Sequence, residues 1–338
     1  MMLTRILRSV GLIAAMSLIA TASSAETKLL LSHIFPSTHP LVTGVLTPWA
    51  KDIETATQGR VKIEFAPSSL APPPGQLDMV QKGIADIGIQ FTGIVPNRLH
   101  FEMITELPGP TATAEQLTRA LWSTHEAYFA KSREYKDLQV LAVFSFPQQD
   151  FFCMKACPAT LADFKSMKIL TTPSTSSKQF GALTSGIVAV PAVRYFEPVS
   201  KGTVDAYAGT TAMEVVSLNL APSTKAILRL KDQRTSGSFV VTVNPASWKK
   251  LSAEDQKAIM SQSGAAFAKR MAALDAAIAG AYKKLEDDGI KLQMASAALD
   301  ADLKKAFDPL DDEWVKESSK RGIDGEAALK HFRTEVVK

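Results

Sequence analysis

The chain has little cysteine, little histidine and no excess of charge of either sign. Two cysteines in 338 residues, Cys153 and Cys157, exclude a disulfide-dense scaffold and a four-cysteine zinc site. The five histidines, His33, His39, His100, His125 and His331, have no metal-ligand spacing. There is no H-E-x-x-H and no G-x-S-x-G, so the common zinc peptidases and nucleophile-elbow hydrolases drop out, and no metal or cofactor is called for. A thiol enzyme using Cys153 and His33 is the one catalytic reading left. The 38 basic and 34 acidic residues nearly balance, which argues against nucleic acid as a partner. Beyond residue 25 no apolar segment is long enough to span a bilayer.

What the chain does have begins with its first residues. "MMLTRILR" is a short basic start, "SVGLIAAMSLIA" an apolar stretch too short for a membrane helix, and "TASSA" ends in small residues. This is the pattern of a secretory leader over residues 1–25, giving a mature chain that starts near Glu26. No cysteine follows the cleavage point, so no lipid anchor is expected. Without Arg5 and Arg8 the balance is 36 basic to 34 acidic residues. In an oxidising compartment the two cysteines invite a bridge. Residues four apart on a straight strand lie roughly 13 Å apart, beyond the ~7 Å a disulfide tolerates, so Met154–Ala156 must turn if the bridge forms.

The apolar pattern then alternates between strand and helix. "TKLLLSHIF", "RVKIEFAPS" and "DIGIQFTG" read as strands, with helical spacing in "LVTGVLTPWAKDIETATQ" and "QLDMVQKGIA". Strand, helix, strand, helix, strand predicts an open parallel α/β sheet. "TAEQLTRALWSTHEAYFAK" is a further amphipathic helix and "LQVLAVFSF" a buried strand. The pattern restarts near Gln149. "DFFCMKA", "MKILTT", "IVAVPA" and "DAYAGTT" are strands separated by helical stretches. "GSFVVTVNPASW" is an apolar strand suited to crossing between the two units. From Ser252 to Gly289 one long helix is expected, capped by Ser252–Glu254 and stopped by glycine. The fold class is therefore α/β in two lobes, with crossing strands and one long helix spanning both. The first lobe takes 26–148 plus about 237–275, and the second takes 149–236 plus about 276–338. Such a pair encloses a cleft for a small solute.

At this point the order of segments resembles a known family. "LSHIFPSTHP", "WAKDIETATQGRVKIEFAPS", "QLDMVQKGIADIG", "TELPG", "ATLADFKSMKI", "KGTVDAYAG" and the helix after "NPASWKKLS" are similar to the periplasmic solute-binding subunits of tripartite ATP-independent (TRAP) transporters, of the C4-dicarboxylate-binding type. The resemblance covers nearly the whole mature chain. It implies a periplasmic receptor that captures one small molecule between its lobes, does no chemistry on it, and delivers it to the membrane subunits of a TRAP permease. The receptor is expected to be a monomer. A solute sensor is the alternative use of the same fold.

The resemblance also marks where this chain departs. The family's strand ending in a carboxylate-gripping arginine aligns that arginine with Leu170. A second family arginine aligns with Phe151, an asparagine with Gly209, and an aromatic residue with Ala192. A buried carboxylate without a partner costs several kcal/mol, so a C4-dicarboxylate is not carried over as the ligand, and Leu170 points to a more apolar pocket. Strand ends facing the cleft offer His33, Phe35 and His39; Gln90, Phe91 and Thr92; Asp150 and Phe151; and Tyr207, Thr210, Thr211 and Glu214. Two ligand classes fit them: an aromatic or short-chain monocarboxylate or neutral solute, or an amine held by Asp150 or Glu214 with Phe151 and Tyr207 around it.

Overall fold

A computed structural model describes residues 26–135 and 138–338; the expected leader lies outside the described residues. Eleven strands form two sheets. In chain order they are β1 (Thr27–Ser32), β2 (Val61–Phe65), β3 (Ile87–Phe91), β4 (Gln139–Ser145), β5 (Phe151–Cys153), β6 (Ile169–Thr171), β7 (Ile187–Ala189), β8 (Ala206–Tyr207), β9 (Ala226–Arg229), β10 (Ser238–Val243) and β11 (Lys291–Met294). The first sheet runs β2-β1-β3-β10-β4 and the second β11-β9-β5-β8-β6-β7.

The expectation of an all-parallel first sheet needs correcting. β1 pairs in parallel with β2 and β3, but β10 lies antiparallel between β3 and β4. The reason is where the chain comes from. It returns from the second sheet at the carboxyl end of β3, with Phe239 opposite Phe91, so it runs back down the sheet. All six residues of β10 are buried, as a central strand covered on both faces requires. β10 itself stays within the first sheet. The crossing is made by residues 146–150 going out and 230–237 coming back. These lie side by side, with Phe146 N donating to Gly237 O and Gln149 N to Thr235 O, both at 2.8 Å.

The single long helix is also corrected. Ser252 caps as expected, its Oγ accepting from Asp255 N at 3.0 Å, and Gly289 ends the run with φ +86°. Between them the chain breaks into Ala253–Gln262, Gly264–Arg270 and Ala272–Asp287. Ser263 is extended at φ −113°, ψ −161°, and its Oγ accepts from Trp49 Nε1 at 3.2 Å. Gly264 follows at φ +52°, where a Cβ would come within 2.7 Å of the Trp122 ring. Packing against two tryptophans thus overrides a locally helical sequence.

The C-terminal helices return to the first sheet's side. Gly325–Val336 packs on Ala114–Thr124, with His331 Nε2 2.9 Å from Ser123 Oγ. Trp314 stacks on His100, ring centres 5.9 Å apart. Cys153 and Cys157 are bridged, their Cα atoms 5.4 Å apart, with bends at 154–156 supplying the required turn.

Candidate functional site

The carboxyl ends of β1, β3, β4 and β6 open on one cleft between the two sheets, the place where α/β sheets bind ligands. It has about 750 Å³ of free space counted to its mouth, in the range of a single small-molecule site. Its floor comes from the first sheet and is aromatic. Phe35 follows β1, Phe91 ends β3, Phe146 follows β4, and Phe239 lies near the start of β10. The Phe146 and Phe239 ring centres are 4.4 Å apart, those of Phe91 and Phe239 5.2 Å, and Phe35 and Phe146 5.5 Å. His39 completes the floor, 4.8 Å from Phe35.

The facing wall comes from the second sheet and is small and hydroxylated, with Thr172, Thr210, Thr211 and Ser217 beside Val193 and Leu218. Gly209 sits at φ +72° between them. A Cβ there would lie 2.6 Å from Thr172 Oγ1 and 2.9 Å from Ser176 Oγ, so only glycine lets the two loops close. Thr210 Oγ1 and Ser176 Oγ are buried without a hydrogen-bond partner among the described residues. Unpaired buried hydroxyls are rare in a finished core; Thr210 belongs to the cleft wall, and Ser176 lies beside Gly209.

One ionised group faces this space. Glu214 is the third residue of the helix Ala212–Ser217 and closes a capping box, accepting from Thr211 N at 2.9 Å and from the Thr211 hydroxyl. Its Oε1 meets His39 Nε2 at 3.1 Å. Burial pushes the Glu214 carboxyl up, but the hydrogen bonds from His39 and Thr211 outweigh it, so the group stays below its usual value. Among the described residues, neither lysine nor arginine lines the cleft.

Of the residues expected from the sequence, the structure brings Phe35, Phe91, Thr210 and Glu214 into the cleft, together with His39 and Thr211. The others sit elsewhere, each for a visible reason. Leu170 is wholly buried, not at a ligand surface. It lies inside β6, paired on both sides, and packs in the core with Tyr207 and Ile227. Two residues further along, on the same face by alternation, Thr172 is the one that reaches the cleft. Tyr207 is buried with its hydroxyl on Thr224 and its ring stacked on Phe152 at 5.0 Å. Phe151 points to the opposite face, against Phe164 and Phe180.

Asp150 does not face the cleft either: Arg229, Arg234 and Tyr282 hold it at the crossing. Gln90 is spent on backbone, donating to Pro73 O at 3.1 Å and Phe91 O at 2.7 Å. Thr92 donates to Ser238 O at 3.2 Å. His33 lies behind Phe35, and burial holds its pKa below the usual value. Phe146 and Phe239 had not been singled out. Phe146 sits one residue beyond a strand end, the same signal that pointed to Phe91; Phe239 inside an all-apolar strand carries no such mark.

The sequence pattern of the bacterial extracellular solute-binding proteins, family 7, matches residues 31–318. The chain belongs to that family. Its fold is that of a TRAP periplasmic solute-binding protein from Bordetella bronchiseptica with bound (R)- and (S)-mandelate. The TM-score is 0.87 at 28% identity, covering 92% of this chain and 98% of that one. A marine metagenome TRAP solute-binding protein specific for aromatic acid ligands, in complex with metahydroxyphenylacetate, gives 0.84 at 25% identity, covering 92% and 99%. The chain is also 34% identical over 333 residues to the outer membrane transporter protein TsaT of Comamonas testosteroni, covering 98% of each. The family 7 protein described here is thus a two-lobed extracytoplasmic receptor for a small solute. It is of the kind that works with membrane permease subunits, and the family consists of solute-binding receptors, not enzymes.

Proposed function

We propose that this family 7 receptor captures an aromatic monocarboxylate. The ring lies on the floor formed by Phe35, Phe91, Phe146 and Phe239, where offset and edge contacts stabilise it beyond area burial. The carboxylate turns to the opposite wall, to the hydroxyls of Thr172 and Thr210. The observation that carries this is the pairing of a carbon-rich floor with a hydroxylated wall, where Thr210 Oγ1 has no partner, across one small cleft. It agrees with the mandelate and metahydroxyphenylacetate seen in the relatives. Neutral donors replace the arginine of the dicarboxylate-binding type, so one carboxylate is held and two are not.

A thermal-shift panel of the mature chain with benzoate, mandelate, succinate and phenethylamine tests this. A ligand at a hundredfold excess over its Kd adds about 2.7 kcal/mol. Benzoate or mandelate should give a shift of several degrees and succinate none; a shift with succinate alone would overturn the proposal. One observation favours a second ligand class. Among the described residues, Glu214 is the one carboxylate lining the cleft and no lysine or arginine lines it, which suits an aromatic amine. A shift with phenethylamine and none with the acids would establish that class instead.

In the cell, the leader of residues 1–25 would deliver the chain to the periplasm without a lipid anchor, as a monomer handing its ligand to a TRAP permease. The lobes would divide at the crossing near Gln149 and residue 237. N-terminal sequencing of the exported protein tests the leader: the first residue should be near Glu26, and an intact Met1 would contradict it.

A further inference from the structure

We infer that Glu214, held in place by His39 and Thr211, is a specificity-determining residue that selects aromatic acids bearing a hydroxyl group. The inference rests on the aromatic-acid proposal above and goes beyond it in naming which acids and which residue.

The hydrogen bonds around His39 fix what the ligand meets. His39 Nδ1 accepts from Leu41 N at 3.1 Å. An imidazole nitrogen that accepts carries no proton, so the proton is on Nε2, which donates to Glu214 Oε1 at 3.1 Å. Oε2 is filled by the backbone and side chain of Thr211. Of the acceptor sites of the carboxylate, one on Oε1 stays open, and the side chain is 11% exposed in the cleft wall. His39 itself, 2% exposed, has no donor to spare. Whatever ligand atom reaches this end of the cleft must therefore donate.

The same group sets orientation. A ligand carboxylate is repelled by Glu214, so it turns toward Thr172 at the end of β6, and a substituent elsewhere on the ring faces Glu214. A hydroxyl there gains a charge-assisted bond, roughly twice as strong as a neutral one. A methyl ether in its place has the same oxygen but nothing to donate, and it sets an acceptor against a buried carboxylate. His39 comes from the segment after β1 and Glu214 from the segment after β8, so the pair forms only when the two lobes meet.

The test is calorimetry on the mature chain with benzoate, the meta- and para-hydroxybenzoates, and their methyl ethers. The wild type should bind at least one hydroxybenzoate tenfold or more tightly than both benzoate and its own methyl ether. In Glu214→Gln no charged acceptor faces the cleft, so the preference for hydroxyl over methyl ether should fall below threefold. Equal binding of the three kinds of acid by the wild type would overturn the inference and leave the aromatic-acid proposal standing. A preference that survives in Glu214→Gln would overturn the assignment to this residue. Silence from all of them would remove the aromatic-acid proposal itself.

Discussion

Arg229 grips Asp150 with two parallel hydrogen bonds, Nε to Oδ1 at 3.1 Å and Nη2 to Oδ2 at 2.9 Å. Arg234 reaches the same carboxylate at 3.2 Å, and Tyr282, from the helix Ala272–Asp287, donates to it. The Asp150 side chain has no exposure at all. Outgoing crossing, returning crossing and long helical segment are thus pinned at one point. Asp150→Asn leaves two guanidiniums without their anion. Loss of one partner of a buried pair costs about 3–5 kcal/mol, so urea unfolding should show a loss of about that size. A change under 1 kcal/mol would mean that the cluster does not hold the crossing.

The disulfide should matter little. Its loop spans a separation of four residues, so the chain-entropy account allows about 2 kcal/mol at most. Cys157 lies well away from the cleft lining. Cys153→Ser/Cys157→Ser should leave ligand affinity within threefold, by calorimetry; abolished binding would show that the bridge shapes the cleft.

Glu106 gives the protein a pH signature. Burial, the largest influence, pushes its carboxyl up to about 7 despite bonds from Ser238 and Thr175. The folded pKa of this acid exceeds its unfolded value of 4.5, so between those values the folded state holds more protons. Its contribution is full below about 4.5 and is lost as pH rises to about 7. Glu134, also raised to about 7, acts in the same direction. His100, lowered to about 4 by burial, acts oppositely below its ordinary value. The Glu106→Gln variant isolates the first effect: relative to wild type it should gain about 3 kcal/mol between pH 4.5 and 7.5. A constant difference across that range would contradict the account.

Gly209 should be irreplaceable for binding. At φ +72° any side chain is strained, and a Cβ strikes Thr172 Oγ1 at 2.6 Å. Gly209→Ala is expected to lower affinity at least tenfold by displacing Thr172 and Ser176, with the circular dichroism spectrum unchanged. Unaltered affinity would place the ligand head elsewhere.

Much of the fold was legible because its signals are local. The strands "VKIEF" and "IGIQF", the glycine stops and the restart after Gln149 all survive in the structure. The mixed first sheet was not legible, because the direction of β10 depends on where the chain re-enters, a non-local fact. Nor was the break at Ser263 and Gly264, which two distant tryptophans impose. Of the residues read at and beyond strand ends, Phe35, Phe91, Thr210 and Glu214 line the cleft. Leu170 and Tyr207 are buried inside β6 and β8, because the positions that line the cleft, Thr172 and Gly209, lie two residues further along, past the strand ends. Asp150 misled because its partners, Arg229 and Arg234, lie some eighty residues away.

The most direct measurement is calorimetric titration of the mature protein at pH 7 with benzoate or a hydroxybenzoate, and separately with succinate. The account predicts one-to-one binding of the aromatic acid with a Kd near or below micromolar, about −8 kcal/mol, and no detectable heat with succinate. Micromolar binding of succinate, with no binding of the aromatic acids, would contradict it.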